Sequence, residues 1–189
     1  MLNALKEKAH TWAVGHGFYE EVKPDAFYLG LVMSEAGEAI NADRKGMRAD
    51  TKGFEEDEAK GIPFAENFRA YIKDSVEDEI ADIVIQLLDF AGLRGNKPCL
   101  VAKAQRTIDS TYAFLKFEES GMPGIFFYLM DFLTAGFGWN ELETCIYNII
   151  YILNDCFGKM TGSDKDLWWF VEQKMRYNDL RPRLNGKKY

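Results

Sequence analysis

A chain of 189 residues, 47% of them hydrophobic and only five of them proline, can bury one substantial core and is not a disordered or low-complexity chain. A formal net charge of −7 argues against a nucleic-acid backbone as main partner, and an anionic small ligand would need local cations or a metal to reverse that field. Cys99, Cys145 and Cys156 fall in no CxxC or Cys/His pattern, and an odd number suits a reducing compartment. The opening MLNALKEKAH has no apolar signal core, and the richest apolar run, GIFFYLMDFLTAGFGW, is interrupted by Asp131 and too short to span a bilayer. A cytoplasmic protein without membrane association is expected.

Residues 2–14 read as an amphipathic helix with Leu2, Leu5, Ala9, Trp12 and Ala13 on one side, ended by Gly15 and Gly17. His10 and His16 are the only histidines; neither stands near a Cys or a second His, so surface or core positions are expected for both. Trp12, Phe18 and Tyr19 admit two readings, a surface for stacking a nucleobase or plain core, and core is the commoner fate of such residues. Pro24-Asp25 opens a helix over about 26–43, which ends at RKGMR. The next stretch, DTKGFEEDEAKGIPF, is rich in charge and glycine and weakly periodic. It reads as a lid or substrate-facing loop, its EEDE cluster solvated, and a short helix from Glu66 to Lys73 follows.

DSVEDEIADIVIQLLDFAG carries apolar residues at Ile80, Ile83, Val84, Leu87, Leu88 and Ala91, the spacing of a helix burying one stripe over about 75–92. Ser75 is its N-cap, with Asp78 in the capping-box position. Beyond Gly95 and Pro98, residues 99–119 are expected to be helical, GMPG at 121–124 to break the chain, and helices to occupy about 125–135 and 140–157. The pair 125–157 resembles 27–92 in layout without its paired acids, which admits two readings, a degenerate internal duplication or convergent helix patterning. A last helix starts at Ser163 or Asp164 and stops by Pro182. The basic tail 174–189 gathers Lys174, Arg176, Arg181, Arg183, Lys187 and Lys188. No strand or hairpin is predicted, so the expected fold class is all-α, a helical bundle in a single domain spanning 1–189.

The chemistry lies in two acidic helices. Glu35 and Glu38 on the first, and Glu79 and Asp82 on the second, are i, i+3 pairs beside apolar stripes; Glu79 and Asp82 run in line with Gln86 and Asp89. Six acids and no Lys or Arg lie between Asp74 and Leu93. Acids near a helix N-terminus favour the macrodipole, which accounts for Glu77 and Asp78 but poorly for the deeper Glu35, Glu38 and Asp82. Four carboxylates converging between packed helices need a counter-charge, and an all-oxygen set suits Mg²⁺, with Mn²⁺ as a substitute, better than Zn²⁺.

Glu35-Ala-Gly-Glu38 followed by Glu79-Ile-Ala-Asp82 resembles the ExxE…ExxD signature of the all-α NTP pyrophosphohydrolases, the MazG-like superfamily. KMRYNDLRP, with Lys174, Asn178 and Arg181, is similar to the Lys…Asn…Arg element that follows their metal helices. The resemblance covers about residues 8–94 and 165–189. It implies a bundle of that type and a Mg²⁺-dependent hydrolase that cleaves a nucleoside triphosphate between the α and β phosphates, releasing a monophosphate and pyrophosphate. Glu35, Glu38, Glu79 and Asp82 would hold metal, Glu35 or Glu38 would take the water proton, and Lys174, Asn178 and Arg181 would bind substrate. A homodimer is the expected assembly. No GxxxxGK[ST] loop is present, so a P-loop enzyme is excluded. A di-iron carboxylate protein would need Glu-x-x-His pairs, which neither acidic helix has. The rival from another class is a non-catalytic nucleotide-sensing or helical interaction module with the same fold.

Overall fold

The computed structural model describes residues 2–95, 109–138 and 142–182. Among these are eight α-helices and no strand: α1 (Leu2–Gly15), α2 (Asp25–Arg44), α3 (Thr51–Ala59), α4 (Phe64–Tyr71), α5 (Val76–Leu93), α6 (Ser110–Gly138), α7 (Leu142–Thr161) and α8 (Leu167–Asn178). The fold class is all-α, as the periodicity predicts. No helix among the described residues is long and apolar enough to cross a membrane.

α5 is the axis of the bundle, packed against α1, α2, α7 and α8. From Ser75 to Ala91 every residue is buried except Asp82, Gln86 and Asp89, which lie on one line at i, i+4, i+7. The start of α5 is capped as its sequence predicts, with Ser75 Oγ accepting from the Asp78 N–H at 3.2 Å. The reciprocal half of the box shifts by one residue, because Asp78 Oδ2 accepts from the Asp74 N–H at 3.0 Å. Asp74 makes that turn in the left-handed region, at φ 64°. At the other end, Arg94 pairs with Asp25 at the start of α2, so α2 and α5 run antiparallel and bring Glu35 opposite Gln86. α1 approaches α5 closely, and a Cβ on Gly92 would fall 2.5 Å from His10 Cβ.

Residues 51–59 differ from the expected loop or lid. They form α3, held by an Asp50 cap on the Gly53 N–H at 2.9 Å and by one apolar anchor, the fully buried Phe54. Asn67 of α4 donates to the Phe54 carbonyl at 2.8 Å, fastening the two short helices together. A single anchor leaves no stripe to read, which is why the helix is missing from the periodicity. The acidic cluster of α3 is solvated, and three of its members meet Lys165, Lys60 and Arg176.

The break expected at 121–124 is a kink inside α6, where Gly121 takes φ 63° and ψ −156°. α6 and α7 pack on each other as α2 and α5 do. α8 begins later than expected, after an Asp166 cap on the Trp169 N–H, and ends at Asn178, short of Pro182. Residues 99–108 of the expected helix 99–119, the start of the helix expected at 140, and Arg183, Lys187 and Lys188 of the basic tail lie outside the described residues.

Ser75→Ala removes one of two links fastening the start of α5. A loss of about 1 kcal/mol is expected, read as a fall of roughly 2–4 °C in Tm for a domain of this size.

Candidate metal and ligand site

A cavity of about 310 Å³ runs between α1, α2, α5 and α8. It follows the exposed line of α5, with Asp82, Gln86 and Asp89 all in its wall. One end is acidic. Single carboxylate oxygens of Glu35, Glu79 and Asp82 lie within 4.8 Å of one another, brought from two helices. Glu35 is buried and accepts from Gln86 Nε2 across the α2–α5 contact. Glu38, one turn further along α2, is exposed in the cavity wall and stands outside this oxygen cluster.

Lys174 of α8 comes up beneath the cluster. Its Nζ lies 2.7 Å from Asp78 Oδ2 and 2.7 Å from Asp82 Oδ2, with 6% of the side chain exposed. Burial alone would lower the Lys174 ammonium, but the Asp82 and Asp78 charges outweigh it and hold the group well above the usual lysine value. Burial lifts Asp78 despite Lys174 beside it. Glu79 is pushed up to about 8, first by burial and then by the charges of Asp82 and Asp78, against the opposing pull of Lys174. One ammonium therefore does not balance the group. The remaining crowd of oxygen donors, with carboxylates driven towards protonation, fits a hard divalent cation.

Of the residues singled out in the sequence, Glu35, Glu79 and Asp82 are brought together, and Glu38, Asn178 and Arg181 join the same cavity. Arg181 Nη1 donates to Asn178 Oδ1 at 3.4 Å at the α8 side of the opening. Lys174 reaches the cavity from within the carboxylates, an arrangement the spacing of the C-terminal element does not convey. Asp78 reads in the sequence only as a capping residue, yet it is the second counter-ion of Lys174.

The other end of the cavity is aromatic and contains a polar group absent from the sequence expectations. Trp12, Phe18, Tyr28 and Phe90 line it, the last two stacked with centroids 5.4 Å apart. Asp89 accepts from the Tyr19 hydroxyl at 2.6 Å and from His10 Nδ1 at 2.9 Å. Burial raises Asp89 to about 6 against those two hydrogen bonds, and burial followed by the Asp89 charge lifts Tyr19 far above the usual phenol value. The signal available in the sequence was the alignment of Asp89 with Glu79 and Asp82. The lone His10 gave none.

Two outcomes are expected. Lys174→Met strands two carboxylates, one fully buried, and should cost about 3–5 kcal/mol in denaturant unfolding. A cation entering the Glu35–Glu79–Asp82 cluster must expel the Glu79 proton, since only the carboxylate is a ligand. Mg²⁺ or Mn²⁺ affinity should therefore rise with pH up to about 8 and level off above it. Calorimetry in buffers of different ionisation enthalpy reads the released proton directly.

Comparison of the chain with protein-family models, curated proteins and solved structures found no match, so the site is interpreted on its own geometry.

Proposed function

We propose that this protein is a divalent-cation-dependent nucleoside triphosphate pyrophosphohydrolase, cleaving between the α and β phosphates to give a nucleoside monophosphate and pyrophosphate. The observation that carries this reading is one cavity with carboxylates at one end and aromatic walls at the other. Asp82 and Asp89 are seven residues apart on α5, roughly 10 Å along the helix axis, a separation suited to a ligand with a polyphosphate at one end and a planar ring at the other. The cleavage position comes from the ExxE…ExxD resemblance, because carboxylates and a cation by themselves imply only phosphoryl chemistry.

Glu35, Glu79 and Asp82 would hold Mg²⁺, or Mn²⁺ in its place, which when bound supplies charge to offset the polyphosphate and acidity to a nearby water. Gln86 fixes the Glu35 side chain by its hydrogen bond. Lys174 fixes Asp82 from below. Glu38, exposed and outside the crowded cluster, is the carboxylate suited to accept the proton of the attacking water. Arg181 and Asn178 at the opening supply hydrogen bonds and positive charge for phosphate oxygens. A homodimer belongs to this reading.

A second reading is favoured by one contact. Lys174 already sits on Asp82, and an ammonium held on a ligand carboxylate suits a nucleotide-sensing module that does not turn over.

Release of pyrophosphate and monophosphate from a panel of NTPs and dNTPs, with Mg²⁺, Mn²⁺ or EDTA, separates the two. Metal-dependent pyrophosphate with matching monophosphate is expected. Inorganic phosphate alone would overturn α–β cleavage, and metal-dependent binding without turnover would favour the sensing module. Glu38→Gln and Asp82→Asn should each lower kcat by about 100-fold or more while the helical circular dichroism is kept.

A further inference from the structure

The polar line of α5 does not stop at the carboxylate cluster. It continues through Gln86 to Asp89, which lies where the cavity becomes aromatic. The proposed hydrolysis uses Asp82 and Gln86 but gives Asp89 no task. A carboxylate facing a ring-lined space is costly to keep there, because burial works against its charge.

Its surroundings hold it as an acceptor. Tyr19 donates to Oδ2 and His10 to Oδ1, one hydrogen bond on each oxygen. His10 is seated by the close approach of α1 to Gly92, three residues past Asp89 on the same helix. A carboxylate has about four acceptor positions, so two donors leave room for another. The side chain keeps 20% of its surface exposed, and Asp89 lines both this cavity and the neighbouring hollow beside Tyr19 and Phe27. Both hydrogen-bond partners of the Asp89 carboxylate are donors, and a further polar partner of an ionised carboxylate has to be a donor as well.

Resting on the nucleotide reading above, we propose that Asp89 selects the base. A planar base lies among Trp12, Phe18, Tyr28 and Phe90, and Asp89 accepts a hydrogen bond from its exocyclic amino group. Cytosine and adenine nucleotides are thereby favoured over their uracil and hypoxanthine counterparts, which have the same shape but place a carbonyl oxygen where the amino group was. That oxygen would face a carboxylate already fixed as an acceptor, leaving two acceptors opposed and desolvated. Tyr19 and His10 are positioning residues that hold the Asp89 carboxylate in place.

The test is calorimetric binding of the non-cleavable α,β-imido analogues of CTP, UTP, ATP and ITP, with Mg²⁺ present, which separates base selection from turnover. The cytosine analogue should bind about ten-fold or more tighter than the uracil analogue, and adenine tighter than hypoxanthine by a similar factor. Asp89→Asn, whose amide also offers a donor, should bring both ratios to within about three-fold. Tyr19→Phe should keep a reduced preference, since it removes one donor that positions Asp89 and leaves the carboxylate and His10. Equal affinities within both pairs, unchanged ratios in Asp89→Asn, or loss of preference in Tyr19→Phe would overturn the assignment. Binding of no analogue would overturn the nucleotide reading beneath it, whereas tight binding without amino preference would overturn the base assignment alone.

Discussion

Asp78 and Lys174 pair where water is nearly excluded, and Asp82, in the cavity wall, gives the same ammonium a second carboxylate. Lys174 is 6% exposed and Asp78 1%, with 2.7 Å between their charged atoms. Removing Lys174 would leave two carboxylates uncompensated, one of them fully buried, at low dielectric. The triad joins α8 to the first turns of α5. On the same α5 turns, Glu77 accepts from the Ala49 N–H at 3.0 Å and the Val76 N–H donates to the Met47 carbonyl at 3.1 Å. The stretch between α2 and α5 is thus drawn against the acidic end of α5, and the cavity floor is fixed before any ligand arrives.

This arrangement divides labour among acids that look equivalent in the chain. Asp78 is structural, capping its helix and pairing with Lys174. Asp82 is shared, meeting Lys174 on one side and the Glu35–Glu79 cluster on the other. Burial and the charges of Asp82 and Asp78 drive Glu79 towards protonation. Glu38 stays in the opening. A ligand set in which one member is pre-paired with an ammonium is less negative than its carboxylate count suggests.

Much of this was legible in the sequence for a physical reason. α2, α5 and α7 bury continuous apolar faces, and such faces write a 3.6-residue period into the chain. The convergence of Glu35 with Glu79 and Asp82 was legible because two i, i+3 pairs on packed helices can meet along one seam. α3 was not, since Phe54 is its one deep apolar anchor and its other ties are polar, among them a cap, a contact with Asn67 and a hydrogen bond from Thr51 to Asp164. Nor was the role of Lys174, whose partner Asp78 is 96 residues away. Spacing records neighbours on one helix, not ion pairs between the two ends of a chain. The His10–Asp89 contact, 79 residues apart, was hidden for the same reason.

That separation also has a consequence for how the chain acquires its structure. Synthesis delivers α5 before α8, so the buried carboxylates of α5 exist without their ammonium while the 96 residues from Asp78 to Lys174 are made. Asp78 cannot be both charged and enclosed during that interval. The first turns of α5 must therefore remain hydrated, or hold a proton, until Lys174 docks. Closure of the acidic end is then a late, long-range event that couples the final helix to the seating of the central one.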